Sequence, residues 1–232
     1  VSIFSASNEA PKRDTREIRC GAIVRLEEVD RDDRLAQLGL SQPLLLEVVD
    51  ACVAAEADCT ANDPPMAKGL KVYFAGVRRL RELLCPMGWE RDDTGGYSTV
   101  INHERRLRLA FMNTDTGTCD PHAQPANRSR KGPNSERAAV TNQALLPGIE
   151  WPSLRADGTR PAADDYVTWH MCVHIEGDCV SAELALQSVF EAGYFVDCLE
   201  RIFLIKDAEW AGSGPHPDDD LGPEIEVDVR RK

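Results

Sequence analysis

The hydrophobic patterning predicts an α+β protein: a mainly antiparallel sheet of two hairpins and a meander, with about three helices packed on one face. Three observations carry this. Apolar stripes with a period near 3.6 residues occupy the stretch from Ser41 to Leu84. Apolar runs bounded by turn-forming residues occupy most of the stretch from Tyr97 to Ile205. The two patterns come in blocks and do not alternate, which argues against a doubly wound parallel sheet.

Taken in order, Ile18–Val29 is ambiguous, since Ile23, Val24 and Leu26 suit a strand or a short helix. Ser41 is a good N-cap, Pro43 is tolerated in a first turn, and Leu45, Val48, Val49, Cys52 and Val53 mark a buried face through about Asp58. Asp63-Pro64 opens a second helix with a stripe of Met66, Leu70, Phe74, Val77, Leu80 and Leu84, closed by Pro86 and Gly88. Tyr97–Asn102 and Leu107–Met112 read as a hairpin. Asn113–Pro133 is polar with almost no apolar residue, and is long for a connection inside a compact domain. Asn134 and Ser135 then cap a short helix reaching Pro147. Tyr166–Ile175 and Cys179–Leu186 form a second hairpin around Glu176-Gly177-Asp178, and Leu199–Ile205 is a third, buried strand. The pattern leaves open whether the hairpins share one sheet.

This organisation predicts a flexible arm over 1–16, a single domain over 17–206 with a candidate sub-boundary near 114–150, and an acidic, disordered tail over 207–232. The chain of 232 residues is long enough to bury a core without staples. Its net charge of −12 lowers the prior for nonspecific attraction to nucleic acid. No apolar run approaches the roughly 20 residues that span a bilayer, so no membrane association is expected. No secretory leader is visible and no Cys-x-x-Cys occurs among the 8 cysteines, which suits reduced thiols in the cytoplasm.

Three stretches carry chemistry. On a strand, His170, Cys172 and His174 share one face, and Cys179 across the turn adds a fourth zinc-type ligand. Strand neighbours two apart sit roughly 6.5–7 Å from each other, too far for three of them to meet one ion easily. The expectation is therefore no cofactor. The alternative is a zinc-dependent hydrolase or nuclease with Asp115 or Glu183 as base. A Glu183–Arg201 pair on neighbouring strands reads as a structural ion pair first.

Asp115-Thr116-Gly117-Thr118 follows an apolar strand and resembles the Asp-Thr-Gly loop of aspartic proteases. That resemblance, a tetrapeptide long, implies Asp115 as catalytic acid/base. The sequence departs from the pattern in two ways. Asn113 and Thr114 stand where that family has apolar residues, and there is no second copy of the motif. A polar turn accounts for it equally well.

Asn127–Ser135 places Arg128, Arg130 and Lys131 directly before a helix N-terminus formed by Asn134 and Ser135, with Arg137 one turn on. Free N–H groups, the helix dipole and clustered cations make a natural anion site. The sequence thus points to a non-enzymatic binding or accessory protein acting through this loop and helix start, with nucleic acid or protein as partner.

Overall fold

A computed structural model describes residues 21–144 and 166–209; the expected arm, the end of the third helix and nearly all of the expected tail lie outside the described residues. Its strands are β1 (Ile23–Arg25), β2 (Glu90–Asp92), β3 (Thr99–Asn102), β4 (Leu107–Asn113), β5 (Val167–Glu176), β6 (Cys179–Glu191) and β7 (Tyr194–Glu209). All belong to one sheet in the order β1-β7-β6-β5-β4-β3-β2. β4 runs parallel to β5, and β1 parallel to β7. The remaining neighbours are antiparallel.

The helices are α1 (Glu28–Leu38), α2 (Gln42–Ala57), α3 (Ala67–Leu84) and α4 (Pro133–Ala144). The expected sheet is therefore corrected. It is mixed, and four α-helices are present among the described residues, covering both faces. Leu35 and Leu38 of α1, Val48 and Val49 of α2, and Leu80 and Leu84 of α3 pack on one face against Trp169, Met171, Val173 and Leu184. On the other face Ala139 of α4 joins Met112, Cys172, Ala185 and Phe195. The physical reason lies in the polar segment after β4: together with α4 it is a crossover, and a crossover brings the next strand in parallel. The two hairpins are halves of one sheet.

α2 starts as its sequence dictates, with Leu44 N–H donating to Ser41 Oγ at 3.5 Å. α3 turns its expected stripe outward at its N-terminal end. Met66, Leu70 and Phe74 are exposed, whereas Val72, Gly76, Leu80 and Leu84 are buried. Both sets step by four residues, and they lie on opposite sides of the helix. The inner set is hidden in the sequence because its second member is a glycine. A Cβ at Gly76 would sit 2.3 Å from Phe111 Cε2, so the helix approaches the sheet there through a missing side chain.

β6 and β7 are longer than expected. They join at Ala192-Gly193, both with positive φ (51° and 94°), the signature of a two-residue type I′ hairpin turn. Asn142 of α4 donates to Thr168 O and Gln187 O at 2.8 and 2.7 Å, and its Oδ1 accepts from Thr168 N–H at 2.8 Å. Gln187 sits beside register shifts in the β6–β7 pairing. Asn142 thus fixes α4 to β5 and β6 by hydrogen bonds where apolar packing is thin.

Substituting Gly76→Ala forces Phe111 to move, and overpacking of this kind costs about 1–3 kcal/mol. Chemical denaturation checks this; a variant as stable as the parent would contradict the close approach.

Candidate anion-binding cleft

The segment between β4 and α4 is folded inward by a buried ion pair. Arg201 of β7 and Glu183 of β6 are both 0% exposed, and meet at 2.8 Å (Nε–Oε1) and 2.6 Å (Nη2–Oε2). Arg201 donates its remaining hydrogens to Asp120 O, Ala123 O and Gly117 O at 2.8, 2.6 and 2.9 Å. Cys119 N–H donates to Glu183 Oε2 at 2.5 Å. Burial pushes the Glu183 carboxyl upward, against the pull of Arg201 and the Cys119 N–H. Burial also opposes the Arg201 charge, but Glu183 outweighs it and holds the guanidinium protonated. An arginine that donates to five acceptors is charged, and Glu183 is its counter-ion.

The same clamp draws much of the polar loop inward. Thr114, Thr118, Cys119, Gln124 and Asn127 are buried, so the polar residues of 114–127 mostly serve the protein's own interior. Asp115 Oδ1 accepts from Gly117 N–H and Ala126 N–H at 3.1 and 3.0 Å. That carboxylate closes a turn, which is what its tetrapeptide does here. Asn127 Oδ1 accepts from Phe195 N–H at 2.9 Å, and its Nδ2 donates to Gly193 O at 3.0 Å. These contacts deliver residues 128–135 to the rim of a cleft of about 190 Å³.

Tyr73, Phe111 and Phe195 line the cleft together with Arg130, Lys131, Asn134 and Ser135. The Lys131 ammonium stands 5.4 Å from the centre of the Tyr73 ring, and burial pulls its pKa down. Among the described residues it makes no ion pair. Arg130 Nε donates to Ala192 O at 3.1 Å. Asn134 Nδ2 donates to Gly95 O at 2.8 Å. Gly95 has φ 64°, and a Cβ there would lie 2.3 Å from Asn134 Nδ2, so both the turn and the contact require glycine.

His170, 1% exposed, also lines the cleft. Its Nε2 is 2.7 Å from Tyr97 Oη. His170 Nδ1 is buried without a hydrogen-bond partner. Burial, and secondarily the Lys131 charge, lowers its pKa to about 3, so the ring is neutral. Burial likewise pushes the Tyr97 phenol up, and it stays protonated.

The proposed zinc set disperses. His170 is engaged with Tyr97, and Cys172 is wholly buried, its thiol pushed well above the usual range by burial. His174 Nδ1–H donates to Thr114 O at 3.1 Å. Cys179 is exposed at the hairpin turn. No cluster of three or more metal-ligating side chains occurs among the described residues. Of the expected anion-site residues, Arg130, Lys131, Asn134 and Ser135 come together, whereas Arg128 and Arg137 are exposed and line no part of the cleft. Sequence reasoning missed Tyr97 and its union with His170. The signal was Gly95-Gly96 immediately before an aromatic residue, a turn that places the ring where no strand pattern would.

No protein-family model, curated protein or solved structure matches this chain.

His170 also makes a pH prediction. Its folded pKa lies below the ordinary 6.5, so the unfolded chain takes up a proton that the folded one refuses. Its contribution to stability is complete above about pH 6.5 and falls by about 1.4 kcal/mol per unit as the pH drops towards the folded value. His170→Asn should flatten the loss of stability between about pH 6 and 4 in urea titrations. Parallel curves for variant and parent would refute neutral burial.

Proposed function

We propose that the protein binds a small organic anion in the cleft at the start of α4. The observation that carries this reading is Lys131, a half-buried ammonium that lines the cleft beside Arg130 and the start of α4 and makes no ion pair among the described residues. Burial opposes its charge, and a half-buried ammonium with no carboxylate is costly. A ligand bringing negative charge relieves that cost. The helix N-terminus adds a favourable potential, reduced by Glu136 in its first turn.

Size favours a small molecule over the nucleic acid or protein partner expected from the sequence. Drug-sized ligands occupy roughly 300–1,000 Å³, and this cleft offers about 190 Å³. The same loop and helix start are used, but as the walls of a pocket. No single helix among the described residues is long and apolar enough to cross a membrane. The free cysteines at 52, 119, 172 and 198, all buried, support a reducing, cytoplasmic setting.

Titration calorimetry of the purified protein with propionate and with inorganic phosphate at low salt tests the reading. At least one anion should bind, and Lys131→Met should weaken it roughly tenfold or more. Arg137→Ala, outside the cleft, should leave binding unchanged. Equal binding by the parent and the Lys131 variant would remove the proposal.

A further inference from the structure

We infer that the occupant is a monocyclic aromatic carboxylic acid, the class of benzoate. The inference rests on the anion-binding reading above and extends it from the charge of the ligand to the chemistry of its body.

Beside its cations the cleft is lined by rings. Tyr73 and Tyr97, both half-buried, line it together with the buried Phe111 and Phe195. These rings lean on one another. The centroids of Tyr73 and Phe111 lie 6.2 Å apart with their planes at 57°. His170 links the others, 6.4 Å from Tyr97 and 4.7 Å from Phe195. Tilted pairs of this kind hold each ring in place, so the lining is set before a ligand enters. An aromatic ring has a negative face and a positive edge, and it meets another ring edge-to-face or offset. A saturated ring of the same size has no such charge distribution to match.

Size and charge narrow the class. An apolar cavity of about 150 Å³ holds benzene. The cleft, at about 190 Å³, has room for that ring and roughly 40 Å³ more, a little above the share of one water. That is space for one small substituent, not for a second fused ring or a nucleotide. Lys131 sets what the substituent is. Its ammonium stands 5.4 Å from the centre of the Tyr73 ring, so a ring lying beside Tyr73 brings a group on its edge towards that charge. Arg130, the other cation of the cleft, already donates its Nε to Ala192 O. Glu136, in the first turn of α4, opposes a second negative charge. One carboxylate therefore suits the cleft better than a dianionic phosphate. No bond is made or broken; the claim concerns binding alone.

The experiment compares benzoate, cyclohexanecarboxylate, propionate and inorganic phosphate by calorimetry against the parent, Lys131→Met and Tyr73→Leu, with circular dichroism confirming the fold of each variant. The parent should bind benzoate at least about tenfold more tightly than propionate, which fills less of the apolar lining. It should prefer benzoate to cyclohexanecarboxylate, equal in charge and similar in size, by at least about threefold. Tyr73→Leu keeps an apolar side chain but removes the ring, and should bring that second ratio to within about twofold. Proton spectra of benzoate mixed with the parent provide a readout that needs no aromatic variant to fold: the ring protons should move upfield on binding, as they do beside other rings. Lys131-dependent binding with benzoate no tighter than cyclohexanecarboxylate, with an unchanged ratio in Tyr73→Leu, or with phosphate bound most tightly overturns this inference and leaves the anion cleft standing. Absence of any Lys131-dependent binding overturns both.

Discussion

The buried pairing of Glu183 with Arg201 is the constraint on which the rest of the molecule depends. Two charges removed from water are costly, and they persist only where geometry and further hydrogen bonds offset the loss. Here the offset comes from the segment between β4 and α4. Three of its carbonyls receive Arg201, and the Cys119 N–H meets Glu183. The ion pair thus replaces the apolar residues the segment lacks. A polar stretch that could not collapse on its own acquires a fixed shape because the sheet presents one cation and one anion beneath it.

From that shape the cleft follows. The inward fold of 114–127 ends at Asn127, whose side chain joins β7 at Phe195 and the hairpin turn at Gly193. The backbone of Lys131 donates to the same turn. Its ammonium is thereby set against Tyr73, on α3, and near His170, on β5. Residues from α3, from strands β4, β5 and β7 and from a helix start converge there. Lys131, which makes no ion pair among the described residues, is left lining the cleft.

Much of this was legible in the residues, and the failures have physical causes. Ser41 and Pro43 marked α2 because capping is a local interaction. The hairpin strands β3 and β4 and the turn at Gly177 were visible for the same reason. α1 was not, since its charged sequence buries only Leu35 and Leu38, too few to register as a period. The inner face of α3 was concealed by Gly76, whose role is to be absent. The Ala192-Gly193 turn lacks the usual Asn or Asp, so β6 and β7 looked shorter than they are. The parallel pairing of β4 with β5 is a long-range consequence of the crossover, and no local pattern encodes it. At the cleft, the cations before α4 were apparent, and the Glu183–Arg201 pairing was read as structural. The meeting of Tyr97 with His170 depends on strands brought together by tertiary structure.

The most direct test of this account is amide hydrogen exchange on Arg201→Met. The clamp predicts that residues 114–127 lose protection well ahead of the central strands β5 and β6, with residues 128–132 following them. If the segment exchanges as slowly in the variant as in the parent, the ion pair is not what shapes the loop, and the cleft owes its form to something else.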